Sequence, residues 1–270
     1  MPTAQPKSDS PALRADYGID APYVVRNLFL GCAIGLLVWG SAAFGMWSGN
    51  IVIPISGSEV HLVVAPMALS LAIGFGAMAC WMVWSSKFGK VRDRERMLDH
   101  LPWRGDERVL DLGCGRGLML IGAAKRVGAG HATGIDLWQS EDLSGNRADA
   151  TLENARREGV SSRVDVQTGD MRQLPFADGE FDVVVSRAAI HNLYSADERA
   201  KAIREVARVL KPGGHALIDD IRHGREYAMT FAANGCSEIR SVTPRITAAL
   251  VTVITLGSLR PATLLVRKRI

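Results

Sequence analysis

Charge is missing from two long stretches of this chain. No Asp, Glu, Lys or Arg lies between residues 28 and 58, and between residues 60 and 86 the only basic or acidic side chain is His61. A core helix of a soluble protein must show one face to water, so runs of this kind do not fit a soluble domain. Cysteine is also scarce. Cys32, Cys80, Cys114 and Cys236 have neither metal-ligand spacing nor the density of a disulfide framework. Reduced thiols in a cytosol-facing protein are the expectation. Only Cys114 and Cys236 lie outside the uncharged runs, which argues against soft-metalloid chemistry, where grouped thiols are needed. No metal site is expected. Aromatics are 6% of residues, the net charge is only +4, and no block of like charge occurs. That excludes the basic, aromatic-interleaved surface of a nucleic-acid-binding protein.

Residues 28–47 and 60–84 each supply about the 20 apolar residues that a bilayer-spanning helix requires. Trp39, Trp47, Trp81 and Trp84 cluster toward the ends of these runs, as interface anchors do. Pro66 falls in the first turns of the second run, where a helix tolerates it. Gly31 and Gly35, and Ala68, Ala72 and Gly76, have the small-residue spacing of closely packed membrane helices, in a hairpin or in a homodimer. A signal peptide is the competing reading of the first run. The preceding tail carries Asp9, Asp16 and Asp20, and the run is longer than a signal's apolar region. The connector 48–59 has no Lys or Arg. Lys7, Arg14 and Arg26 precede the runs, and Lys87, Lys90, Arg92, Arg94 and Arg96 follow them. The positive-inside rule then makes both termini cytoplasmic. The expected organisation is a tail over 1–26, two transmembrane helices over 27–86, a linker helix over 87–100 and a charged, soluble domain over 101–270.

That domain opens on a short apolar run, 109–112, which suits a buried parallel strand. Gly113, Gly115 and Gly117 follow, and then a helical stretch, 118–126. Glycines placed between strand and helix allow a tight turn and close backbone approach to a ligand. The next strand, 131–135, ends in Asp136, about 20 residues past the glycines, where a carboxylate suits ribose hydroxyls. Strands over 164–167, 181–186 and 215–218, with a helix over 197–210, complete a β/α alternation and imply a parallel sheet. A nicotinamide-dependent oxidoreductase shares a glycine turn and a ribose-binding acid. Its fingerprint is G-x-G-x-x-G, whereas the glycines here run G-x-G-x-G behind Asp111.

Four segments, VLDLGCGRG (109–117), GIDL (134–137), GDMRQLPFADGEFDVVVS (169–186) and VLKPGGHALIDD (209–220), stand in an order and spacing that resemble the class I S-adenosylmethionine (SAM) dependent methyltransferases, in the branch related to quinone biosynthesis. The resemblance covers roughly residues 97–270. It implies an α/β fold with a Rossmann-like seven-stranded sheet, here preceded by a transmembrane helical hairpin, and SAM as cofactor. It implies that Asp111, Gly113, Cys114, Gly115 and Gly117 hold the methionine end of SAM. Asp136 and Leu137 would take the ribose. Asp170 and Met171 would border the adenine, with Asp170 accepting from its amino group. Ser186 and Arg187 would lie beside the cofactor, and 236–242 and 262–267 would pair as the antiparallel end of the sheet.

The methyl of a sulfonium is already activated, so the protein mainly aligns a nucleophile and excludes water. Open α/β sheets bind ligands beyond the carboxyl ends of their strands. His191 and Asn192 follow the fourth strand. Asp219, Asp220, Arg222, His223 and Tyr227 follow the fifth. His191, with Asp220, is the candidate base or substrate orienter, because imidazole titrates nearest neutral pH. The alternatives are that His191 packs or caps a helix and that the two acids cap or pair with Arg222. The acceptor is a small molecule or lipid, its reacting atom unspecified. A SAM-binding regulatory or scaffolding module without turnover is the other reading. Residues 138–146 exceed a simple turn and either cover the site or form a surface loop. Residues 246–256 are uncharged, too short to span a bilayer, and β-branched, so extended structure is expected there. This stretch is either core or an apolar surface facing the membrane or the acceptor.

Overall fold

A computed structural model describes residues 14–55, 58–139, 141 and 143–270. Residues 1–13, about half of the expected tail, lie outside the described residues. The chain forms two compact units. Among the described residues, a hairpin unit comprises Gly18–Lys90 with Gln139–Ser144, and a sheet unit comprises residues 14–17, Val91–Trp138 and Gly145–Ile270.

The hairpin unit runs α1 (Pro22–Ala43), β1 (Asn50–Ile55), β2 (Ser58–Val63), α2 (Val64–Trp84) and one π-helical turn (Ser85–Gly89). Pro22 opens α1, six residues before the uncharged run begins, because its fixed φ and missing N–H suit the first helical position. The connector is a two-stranded antiparallel ribbon that reaches Val63. Its β-branched Ile51, Val52, Ile53, Ile55, Val60 and Val63 favour strand, so α2 starts at Val64 rather than at residue 60. Both helices are long and apolar enough to cross a membrane, and only 11% and 17% of their most apolar windows are buried within the molecule.

The small-residue stripes of α1 and α2 face each other. A Cβ on Gly35 would lie 2.7 Å from the Ala68 carbonyl oxygen and 2.9 Å from the Ala72 Cβ. Ala72 and Ala79 are fully buried. The stripes offered for dimerisation are thus occupied within the chain. At the open end, the Lys90 ammonium donates to the Gly18 carbonyl (2.9 Å) and to Asp20 Oδ1 (2.9 Å), and the Asp20 N–H donates to Ser86 Oγ (3.1 Å). The entry to α1 and the exit from α2 therefore lie side by side.

The sheet unit begins with α3 (Lys90–Leu98) and continues β3 (Arg108–Leu112), α4 (Leu118–Ala124), β4 (His131–Asp136), α5 (Ala148–Arg157), β5 (Val164–Thr168), β6 (Phe181–Arg187), α6 (Ala196–Val209), β7 (Leu210–Asp220), α7 (Gly224–Ala233), β8 (Cys236–Ser241), α8 (Arg245–Ile254) and β9 (Ala262–Lys268). The strand order is β5-β4-β3-β6-β7-β9-β8. The first five are parallel, while β9 runs antiparallel to β7 and to β8. The expected strands and the antiparallel closing pair are present.

Alternation along the strands divides the core between two faces. Leu110, Leu112, Val184, Ala216 and Ile218 pack with Ile203, Val206, Tyr227 and Phe231 of α6 and α7. Val109, Val183, Val185 and Leu217 pack with Leu98, Leu120, Ile121 and Ala155 of α3, α4 and α5. The chain leaves β3 toward β4 and β5, then returns to β6. That reversal opens a crevice beyond the carboxyl ends of β3 and β6.

One expectation fails. Residues 245–254 form a helix, not a strand. Ile246, Leu250 and Val253 recur at helical spacing, and that period prevails over β-branched composition. Thr252 and Thr255 donate to the carbonyls of Ala248 (2.8 Å) and Val251 (2.7 Å), which satisfies both hydroxyls inside a helix.

Gly35→Val should lower the thermal midpoint of the full chain in detergent by about 1–3 kcal/mol equivalent, through overpacking. Gly40→Val, whose Cβ meets open space, should shift it by no more than about 0.5 kcal/mol. Equal shifts would contradict the close α1–α2 contact.

Candidate active site

The glycine loop is held onto the end of β4. The N–H groups of Gly113 and Cys114 both donate to the Ile135 carbonyl, at 2.8 and 3.1 Å. Gly113 has φ +73°, and a Cβ there would stand 2.4 Å from the Ala189 Cβ. Only glycine lets the loop after β6 approach so closely. Gly115 donates its N–H to Asp136 Oδ2 (2.8 Å), and Gly117, at φ +84°, is the N-cap of α4. Cys114 is buried, with its sulfur against Gly134. Burial, reinforced by Asp111 and Asp136, pushes its thiol well above the ordinary range, so it serves packing and not reaction.

Asp111 points into α4. Its Oδ2 accepts the Leu120 N–H at 2.8 Å in a fully buried setting. Burial, with a smaller push from Asp136, raises its carboxyl to about 8. It orders the first turn of α4. Ser186 is likewise committed, its buried hydroxyl donating to the Leu112 carbonyl at 2.7 Å. That bond ties β6 to β3 at the root of the loop.

Asp136 is the hub of the crevice. Besides Gly115, it accepts from the Trp138 N–H (2.6 Å) and from Asn146 Nδ2 (3.2 Å). A carboxylate has about four acceptor sites, so one remains for a ligand hydroxyl. Leu137 beside it is exposed, an apolar surface that a bound cofactor would cover. Asn146 carried no signal in the sequence. Of the 138–146 stretch, Trp138 and Asn146 both bond Asp136, whereas Gln139–Ser144 belong to the hairpin unit. Residues 140 and 142 lie outside the described residues.

Asp170 is already partnered. Arg172 donates to it from Nε (2.9 Å), Nη2 (2.6 Å) and its backbone N–H (2.8 Å), and also reaches Glu198. The hydrogen bonds from Arg172 hold its carboxyl below the ordinary range. Met171 is placed against the loop, its methyl 3.5 Å from where a Gly113 Cβ would be.

Beyond β6 the backbone is strained, with Ala188 at φ +52°, before the turn Ile190–Asn192. Here the two catalytic candidates meet. His191 Nδ1 lies 2.5 Å from Asp220 Oδ1, and the His191 N–H donates to Oδ2 at 2.9 Å. Asp220, nearly inaccessible, also accepts from the Ile221 N–H (2.9 Å) and the Tyr227 hydroxyl (3.1 Å). The Asp220 carboxylate accepts, so Nδ1 is a donor to it and Nε2 is the ring nitrogen left facing the crevice. Asp219 faces the other side of the sheet, as strand alternation requires. It pairs there with Arg187 (3.4 Å) and Thr263 Oγ1 (2.6 Å), not with Arg222. Burial raises the Asp219 carboxyl. Buried Arg199 grips Glu226 through two 3.0 Å bonds and the carbonyls of Leu193 (2.9 Å) and Tyr194 (3.2 Å). It fixes the loop after His191 to α7. His223 lies 3.4 Å from Glu226 and takes no part in the dyad.

The segment before α1 returns to the same region. Within the sheet unit, Asn154 Oδ1 accepts the Asp16 N–H (2.9 Å), while its Nδ2 donates to the carbonyls of Asp16 (2.9 Å) and Arg116 (3.0 Å). Arg116 pairs with Asp16 at 3.1 Å. Tyr17 is buried against Arg94, which donates to its hydroxyl at 3.0 Å.

Residues 109–214 match a family model described as a methyltransferase domain. The ubiquinone/menaquinone biosynthesis C-methyltransferase UbiE of Roseobacter denitrificans is 35% identical over 125 residues, 46% of this chain and 46% of that protein. The 27-O-demethylrifamycin SV methyltransferase of Amycolatopsis mediterranei is 32% identical over 126 residues, 47% of this chain and 43% of that protein. The chain thus spans less than half the length of these curated relatives. A geranyl diphosphate methyltransferase solved in complex with SAM superposes with a TM-score of 0.51 at 19% identity, covering 67% of this chain and 85% of that one. The fold is therefore the Rossmann-like methyltransferase fold, and residues 109–214 are the part that resembles the methyltransferase-domain model. The match stops before Asp220 and is narrower than the 97–270 resemblance.

A carboxyl raised from its usual value to about 8 is protonated in the folded chain where the unfolded chain is ionised, so it lowers stability as pH rises from about 4 to 8. Asp111→Asn keeps an acceptor for Leu120 and removes the titration. The variant should gain stability relative to the parent from pH 5 to pH 8, by at most ~1.4 kcal/mol per unit. Thermal melts across that range check this, and a pH-independent difference would contradict a buried protonated Asp111.

Proposed function

We propose that this chain is a SAM-dependent methyltransferase, anchored in a membrane by the α1–α2 hairpin, acting on a small lipophilic acceptor from the cytoplasmic side. The observation that carries the catalytic part is the His191–Asp220 dyad, set two residues from the Ala189 that touches Gly113. The glycine loop fits SAM, because it turns tightly at the carboxyl end of β3 and Asp136 keeps an acceptor site beside exposed Leu137. Bound there, SAM supplies an electrophilic methyl. Asp136 would hold the ribose, the loop backbone would hold the methionine end, and Met171 would wall the crevice. His191 Nε2 would take the proton that the acceptor's nucleophilic atom gives up, and Asp220 would stabilise the imidazolium that forms. Tyr227, whose hydroxyl donates to Asp220, is a positioning residue.

The anchor reading rests on two apolar helices of 22 and 21 residues, charged only at Arg26 near the start of the first, with apolar surfaces facing outward. The Asp20–Lys90 pair supports both ends of the hairpin lying on one side, and the Lys and Arg distribution favours the cytoplasmic side. A bilayer anchor favours an acceptor that dissolves in the bilayer.

Calorimetry on the full chain in detergent should show SAM binding and no NADH binding. Asp136→Ala should weaken SAM by about 10- to 100-fold, since an unpaired buried group costs about 1–3 kcal/mol. A folded chain that ignores SAM would end the proposal. With radiolabelled SAM and membrane extract, labelled product should accumulate. His191→Ala and Asp220→Asn should each cut that turnover by about 10²–10⁴-fold while SAM affinity stays within threefold. Binding without turnover in the parent chain would make it a passive module instead. Reporter fusions at residue 54 and at the C-terminus should report external and cytoplasmic locations respectively, and a cytoplasmic signal at both would overturn the hairpin topology.

A further inference from the structure

Helix α8 leaves one face bare. Ile246, Leu250, Val253, Ile254 and, just beyond, Leu256 are between 57% and 96% exposed. Helical spacing gathers the first four on one broad stripe. Thr252 and Thr255 turn their hydroxyls back onto the helix backbone, which removes two polar groups from competition with that stripe.

The surrounding sequence has charge of one sign. After Glu238 there is no further acid, while Arg240, Arg245, Arg260, Arg267, Lys268 and Arg269 are all basic. An apolar stripe in an acid-free, basic segment is the composition of a helix that lies in the plane of an anionic membrane surface. A bilayer is also the surface that this chain brings with it. Only residues 85–90 separate the end of α2 from the start of the sheet unit at Val91. A tether that short gives the membrane a high effective concentration.

The segment also reaches the active site. The Arg260 N–H donates to the Ile221 carbonyl at 2.9 Å, directly after Asp220, and the Ala262 Cβ lies against Gly224 at the start of α7. We propose that α8 and residues 255–260 dock into the headgroup–acyl boundary of an anionic bilayer. Docking sets the loop beyond Asp220 at the lipid surface, where an acceptor leaves the bilayer for the dyad. This rests on the anchor reading given above.

The test uses the full chain, with Cys32→Ser and Cys80→Ser, in vesicles of phosphatidylcholine with or without phosphatidylglycerol. Bimane is attached in turn to Leu37→Cys in α1, Leu250→Cys in α8 and Arg204→Cys on the exposed face of α6, and lipids brominated along the acyl chain act as quenchers. The labels at 37 and 250 should be quenched at least twofold more than the label at 204. Quenching at 250 should rise with phosphatidylglycerol, fall in high salt and be lost in Ile246→Asp/Val253→Asp, a surface change that leaves SAM affinity within twofold. Quenching at 37 with position 250 matching position 204 would overturn the docking and leave the anchor standing. A label at 250 shielded from lipid and responsive to protein concentration would assign the face to a second copy and overturn the proposal. No quenching at 37 would remove the anchor reading, and the docking with it.

Discussion

The site depends on a missing side chain. Ala189 stands where a Cβ of Gly113 would come within 2.4 Å, so the loops after β3 and β6 meet only because Gly113 has no Cβ. That approach sets the distance between the glycine loop and the His191–Asp220 pair. The Ser186–Leu112 bond locks the strand ends at the same place, and Asp111 orders the helix that follows. These three contacts serve shape, whereas Asp136 and His191 face the crevice in the proposed roles of ribose acceptor and base.

The acids of the site illustrate how environment separates identical side chains. Asp219 and Asp220 are neighbours, yet alternation along β7 sends them to opposite faces. One meets Arg187 and Thr263, the other His191 and Tyr227. Asp111 and Asp136 both adjoin the glycine loop. Full burial with few donors keeps the first protonated, while three donors surround the second.

Much of the sheet was legible in the sequence, because buried parallel strands such as 109–112 and 181–187 are short apolar runs bounded by glycine and acid. The crevice followed from strand order, and His191 and Asp220 from their places at strand ends. That they bond each other was not legible, since it depends on loop geometry across 29 residues. Arg172 and Asn146 gave no signal, as each acts through a contact that no periodicity encodes. Helix α8 was misread because β-branched composition was weighed above its 3.6-residue period. The ribbon between α1 and α2 was missed because a two-stranded pair standing alone is marginal and leaves little pattern.

The Asp16–Tyr17 segment belongs to the sheet unit although it precedes α1. The unit is thus assembled from chain on both sides of the hairpin. During synthesis this piece emerges more than a hundred residues before Asn154, its main partner. It stays unpaired with Asn154 until α5 is made, so the sheet unit closes around chain that left the ribosome first. Any change that kept α1 and α2 from returning the chain to the side it left would separate the two pieces and leave the unit open.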